Sequence, residues 1–132
     1  MVTALETPLF TGLTRRERAT AERLGTTLEL QDGREVTTQG EPGKQFGVVL
    51  VGELRVARDG VEVTRLGVGE MFGEISLLAG PQARQTATVD AVGPARVVVF
   101  SAAEFNELCD LIPSVAARVQ LTGLRRLARS AV

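Results

Sequence analysis

Histidine, tryptophan and tyrosine are absent from the 132 residues. Losing histidine removes the commonest general base and the commonest metal ligand. Neither a Ser-His-Asp nor a Cys-His site can be assembled from this chain. No catalytic residue, metal ligand or cofactor is therefore assigned. Without tryptophan or tyrosine, stacking platforms for single-stranded nucleic acid are not expected. The one cysteine, Cys109, excludes an internal disulfide framework. Lysine occurs once, at Lys44, and the other basic residues are arginine, which we read as a compositional bias. No apolar run approaches the roughly 18 residues of a membrane span. Met1 to Phe10 carries Glu6 and no basic cluster, so it does not read as a secretory signal. The expected compartment is the cytoplasm, with no membrane partner.

The residues present fit one domain, 1–132. Hydrophobic residues make up 44 %, enough for one packed core at this length. Fifteen basic residues against sixteen acidic ones give a net charge of −1. That balance suits neither disorder nor a globally basic nucleic-acid binder.

Residues 1–25 read as an N-terminal helical segment. Thr14 with Glu17 is a capping-box pattern that opens a helix to Leu24, ended by Gly25. Leu9, Phe10 and Leu13 are placed to pin it to the rest of the domain. Residues 26–100 change texture to short apolar runs broken by glycine-bearing turns. The expected strands are Thr26–Leu30, Glu35–Thr38, Phe46–Val51, Glu53–Ala57, Val61–Leu66, Ala87–Ala91 and Ala95–Phe100. Asp59-Gly60 marks a hairpin, because that turn needs positive φ. Short strands at this spacing predict a sandwich, barrel or roll. Residues 101–132 return to helix. Ser101 with Glu104 is a second capping box, with Phe105, Leu108, Cys109 and Ile112 on one side. Pro113 stops that helix and Ser114 caps a final one to about Ala131. Val115, Val119, Leu124, Leu127 and Ala131 are read as its apolar stripe, with Arg118, Arg125, Arg126 and Arg129 mostly off it. Those arginines are read as a solvated face, or alternatively as part of an amphipathic docking or dimerisation helix.

One stretch, Leu66 to Val89, fits neither ordinary strand nor ordinary turn. Gly73 lets backbone approach a ligand, and a helical turn over Ser76 to Leu78 would leave N–H groups free. Such groups attract anions, phosphate above all. Glu74 would repel phosphate but accept from a sugar hydroxyl. Arg84 would complete a phosphate site by charge-assisted hydrogen bonds. Val36, Val49 and Met71 are candidates for an apolar wall against a base.

These residues resemble the cyclic-nucleotide-binding domain family of the catabolite activator protein, cyclic-AMP-dependent kinase regulatory subunits and nucleotide-gated channels. Phe72-Gly73-Glu74-Ile75-Ser76-Leu77-Leu78 is similar to the opening of the family's phosphate cassette, and Thr86-Ala87-Thr88-Val89 to its close. Gln39 to Gly43, Phe46 to Gly52 and Leu54-Arg55-Val56 are similar to its first β half. The resemblance implies a mainly β fold with flanking helices: a double-stranded β-helix, or jelly-roll-like β-roll, with one N-terminal and two C-terminal helices. It implies a cassette over residues 71–89, with Glu74 accepting from the ribose 2′-hydroxyl. The implied ligand-binding residues are Phe72, Gly73, Glu74, Ile75, Ser76, Arg84, Gln85, Thr86 and Ala87. The implied ligand is cyclic AMP, ahead of cyclic GMP.

The sequence departs from the family at one place. Gln85, not arginine, stands directly before Thr86-Ala87, and Arg84 lies one residue earlier. Either Gln85 faces the phosphate, with a loss of about 1.5–3 kcal/mol, or a bulge turns Arg84 inward. Two functions are compatible with this pattern. The chain is a sensor that couples nucleotide binding to movement of residues 101–132 and so regulates a partner. Alternatively, it is a degenerate pocket that acts as a dimerisation or interaction module through its last helix. A cupin-type enzyme would need the missing histidines. Direct DNA binding is not expected, because the chain stops about where a family regulator would begin its dimer helix and DNA reader. Whether it stands alone or is part of a longer protein is open.

Overall fold

Thr14 opens the first helix as its spacing to Glu17 predicts. In the computed structural model, which describes residues 7–42, 45–74 and 82–130, Thr14 Oγ1 accepts from the Glu17 amide at 3.1 Å, and Glu17 Oε1 accepts from the Thr14 amide at 2.9 Å. The helix they cap, α1, spans Arg15–Leu24. A 3-10 turn, Pro8–Phe10, precedes it. Gly25 ends α1 in an extended rather than a left-handed conformation, φ −83°. Its lack of a side chain matters for space: a Cβ there would lie 2.7 Å from Val98 Cγ2.

The strands are β1 (Thr26–Leu30), β2 (Glu35–Thr37), β3 (Gln45–Arg58), β4 (Val61–Leu66), β5 (Met71–Phe72) and β6 (Thr88–Ser101). All pairings are antiparallel. The two 14-residue strands, β3 and β6, pair along nearly their whole length, from Gln45↔Ser101 to Ala57↔Thr88. Each takes two further partners, one per half. β6 carries β1 and β2, and β3 carries β5 and β4. This is the roll expected from the sequence, with one difference. The sequence predicts that Gly52 and Gly93-Pro94 separate pairs of strands. Instead β3 runs through Gly52 (φ 85°) and β6 through Gly93 (φ 71°). Registers shift between Val49 and Glu53, so these glycines bend paired strands rather than end them. A Cβ on Gly52 would lie 2.6 Å from the Pro94 carbonyl oxygen.

Both faces of the spine are covered, which explains its near-continuous apolar runs. Side chains alternate along a strand. Phe46, Val48, Leu50, Val98 and Phe100 point to the helices, where they meet Phe10, Leu13, Leu24 and Phe105. Val49, Leu54, Val97 and Val99 point into the roll with Phe72 and Val89. Phe46 lies 5.9 Å from Phe100 and 4.9 Å from Phe105 between ring centres.

Two helices close the chain, α2 (Ala102–Leu111) and α3 (Pro113–Ser130). Ser101 and Glu104 form the second capping box. The start of α3 differs from expectation: Pro113 is its first residue, and Ser114 lies inside the first turn rather than capping it. Proline suits that position, having no amide to leave unbonded. The inward stripe also differs. Val115, Val119 and Gly123 are buried, while Leu124 is 65 % exposed. Nine residues at 100° each put Leu124 about 180° round from Val115, whereas eleven bring Arg126 to within about 20° of it. Leu127 and Ala131 lie outside the described side chains. Arg118 fastens α3 to the start of the fold, donating to the carbonyls of Leu9 at 2.9 Å and Thr11 at 2.7 Å.

Ile112→Ala, at the fully buried α2–α3 junction, is expected to lower the unfolding free energy by about 2–5 kcal/mol in urea titration. Leu124→Ala is expected to change it by less than about 0.5 kcal/mol.

Candidate functional site

The site begins where β5 meets β3. Gly47 pairs with Phe72, and the Phe72 ring lies over it so closely that a Cβ on Gly47 would be 2.0 Å from Cζ. The next residue, Gly73, adopts φ 85°, and a Cβ there would lie 2.1 Å from the Gln45 carbonyl oxygen. Only glycine fits on both counts, left-handed backbone and absent space. This tight step turns the chain off β3 and aims Glu74 inward.

Glu74 is 1 % exposed. Arg126 of α3 donates from Nη1 to Glu74 Oε1 at 2.5 Å and to the Met71 carbonyl at 2.7 Å. The other carboxylate oxygen, Oε2, is buried without a hydrogen-bond partner among the described residues. The pair forms one wall of a cavity of about 490 Å³. That volume suits a small polar organic ligand. Its apolar lining is Val56, Val63, Leu66, Phe72 and Val89. Val36, Val49 and Met71, the wall expected from the sequence, do not line it. Val49 and Met71 are packed in the two cores and Val36 sits against the inner one. The reason is the bend at Gly52, beyond which β3 presents Leu54, Val56 and Arg58 on one side.

Of the residues implied as ligand-binding, the structure brings Phe72, Gly73, Glu74, Gln85, Thr86 and Ala87 to this one cavity. Ile75 and Ser76 lie outside the described residues, as does the Ser76 to Leu78 turn. Arg84 does not line the cavity. Arg84 and Gln85 run beside the Gly40–Pro42 turn as a short extended stretch. Gln85 donates its amide to the Glu41 carbonyl at 2.7 Å, and its carbonyl accepts from the Gly40 amide at 2.9 Å. Successive side chains there point opposite ways. Gln85 faces the cavity, 8 % exposed, and Arg84 faces out, donating to the Gly40 carbonyl at 3.1 Å. Of the two registers open in the sequence, the structure has the one without an inward bulge.

Known proteins share this sequence pattern and this fold. The sequence pattern described as the cyclic nucleotide-binding domain matches residues 27–111. The chain belongs to the cyclic nucleotide-binding domain family. It is 35 % identical over 108 residues to a cAMP-dependent protein kinase regulatory subunit of Mycosarcoma maydis, covering 76 % of this chain and 20 % of that protein. It is 28 % identical to the solved catabolite activator protein of Thermus thermophilus, with a TM-score of 0.81, covering 95 % of this chain and 60 % of that one. A solved structure described with a cyclic-GMP-dependent signalling pathway in bacterial phytopathogenesis is 29 % identical, with a TM-score of 0.71, covering 89 % of this chain and 95 % of that one. The chain spans about a fifth to a third of the length of the curated relatives it matches. The family is a regulatory one.

Among the described residues no three His, Cys, Asp or Glu side chains cluster to hold a metal, and no helix is long and apolar enough to cross a membrane. Cys109, half-buried on α2, is away from the cavity, and burial pushes its thiol up from the usual cysteine value.

Sequence reasoning misses both arginines that line the cavity, Arg126 and Arg58. Arg126 is off the stripe drawn through Leu124, yet its spacing of eleven from Val115 puts it on the inward face. Arg58 continues the alternation Leu54, Val56 on β3. Arg126→Ala leaves Glu74 without its cation and is expected to lower the unfolding free energy by about 1–3 kcal/mol. Hydrogen exchange is expected to speed in residues 120–130 while β3 and β6 keep their protection. Removing Glu74 as well should recover part of the loss, as deleting both partners of a buried pair does.

Proposed function

We propose that residues 1–132 act as one cytoplasmic sensor domain for a cyclic nucleotide, cyclic AMP ahead of cyclic GMP, and that binding sets the position of α3 and so regulates a partner. The observation that carries this reading is the divided state of Glu74. Arg126 holds Oε1, while Oε2 is buried and unpartnered among the described residues. An unsatisfied buried acceptor costs about 1–3 kcal/mol, and a donor arriving through the cavity offsets that. The ribose 2′-hydroxyl is such a donor. It would complete the carboxylate without displacing Arg126, so the bound state would hold α3 against the cassette more firmly than the free one. A ligand shifts a helix only by preferring one of its positions, and here that preference runs through one carboxylate. Val56, Val63 and Leu66 would face the base, and Gln85 and Thr86 would hydrogen-bond the phosphate. α3 exposes Leu121 (49 %) and Leu124 (65 %) on its outer side, the surface for a partner protein or second copy.

The second reading, a pocket kept only as a scaffold, draws on Gln85 standing where an arginine would neutralise phosphate. Calorimetric titration separates the two. Cyclic AMP is expected to bind with measurable heat, to shift amide signals in 113–130 and to slow their exchange. The 2′-deoxy analogue is expected to bind about tenfold or more weakly. Absence of heat and of shifts with both cyclic AMP and cyclic GMP at millimolar concentration would remove the sensor reading. Binding gained only in Gln85→Arg would establish the scaffold reading.

A further inference from the structure

The cavity has a charge problem that the described residues of the 71–89 stretch do not solve. Two carboxylates, Glu70 and Glu74, line it, with two guanidiniums, Arg58 and Arg126. Arg126 is committed to Glu74 and the Met71 carbonyl. Glu70 Oε1 accepts from the Gly67 amide at 3.0 Å, and among the described residues Glu70 forms no ion pair. Gln85 is neutral, and Arg84 is turned away towards Gly40. An anionic ligand entering this space meets carboxylates on one side and needs a cation on the other. Among the described lining residues, the arginine not paired to a carboxylate is Arg58.

Arg58 ends β3, on the strand face that also carries Leu54 and Val56, next to the Asp59-Gly60 turn. Its Nε donates to the Thr86 carbonyl at 3.2 Å. That bond uses one of five N–H donors and sets the guanidinium beside Thr86, which lines the cavity with it. We propose that Arg58, a residue of the β3–β4 hairpin and not of the 71–89 cassette, supplies the positive charge that binds the ligand's phosphate in place of the arginine missing at Gln85. The inference rests on the nucleotide-sensing reading above and assigns its anion site. Arg58 and Thr86 stand 28 residues apart in sequence, so the phosphate would bridge the hairpin to the cassette. Arginine suits the task because its planar fork offers paired donors to phosphate oxygens.

The test is calorimetric titration with cyclic AMP and cyclic GMP of the parent chain, Arg58→Gln, Arg58→Lys, Gln85→Arg and the Arg58→Gln/Gln85→Arg double variant, each checked for an unchanged thermal midpoint. Arg58 is exposed, so its replacement is expected to leave the fold intact. Arg58→Gln is expected to weaken binding about tenfold or more, and Arg58→Lys by only a few-fold. Gln85→Arg is expected to restore the double variant to parental affinity or better, a rescue that a purely structural role for Arg58 would not show. Parental affinity in Arg58→Gln would overturn the proposal while leaving the sensor reading standing. A double variant that stays weak would overturn it in the same way. No binding by the parent would overturn the sensor reading and this assignment with it.

Discussion

A carboxylate buried as deeply as that of Glu74 has to be answered by a cation, and the cation comes from a helix 52 residues further along the chain. Leaving the carboxylate alone in such a site costs about 1–3 kcal/mol, which is why the two ends of the arrangement constrain each other. Gly73 supplies one half of the constraint, because its backbone presses on β3 where no side chain fits. The inward stripe of α3 supplies the other, because Val115 and Val119 fix the rotation that brings Arg126 round. The cavity is the space left between these two requirements.

The β3–β6 spine makes both requirements possible. Its alternating side chains serve two cores at once, one under the helices and one inside the roll. The helices are therefore seated on the same strands whose other face shapes the ligand space. Glycines at positions 47, 52 and 73 let backbone and rings approach where any Cβ would collide. A change in how α2 sits on Phe46 and Phe100 has only the thickness of one strand to cross before it reaches Phe72.

Much of this architecture is legible in the sequence for particular reasons. Both capping boxes, the Asp59-Gly60 hairpin and the flanks of the cassette are local patterns, and local hydrogen bonding decides them. Gly52 and Gly93 mislead, because a glycine that bends a paired strand and one that ends it look alike until the partner strand is known. Met71-Phe72 is too short to read as a strand, since its two residues are held by pairing to Gly47 and Val48. Leu124 looks like core by composition, whereas helical geometry places it opposite Val115. The choice between Arg84 and Gln85 depends on pairing with the Gly40–Pro42 turn, a contact more than forty residues distant. Arg126 and Arg58 escape notice because an arginine in sequence is more often solvated than inward-facing, and only the folded geometry separates the two cases.

Arg118 ties α3 to the carbonyls of the first described turn, and that turn in turn rests against the loop before β5, where a Cβ on Gly69 would sit 3.1 Å from Pro8 Cδ. The helix therefore cannot swing as an isolated lever. A rotation of α3 would be felt by the opening turn and, through Pro8, by the loop that leads into β5.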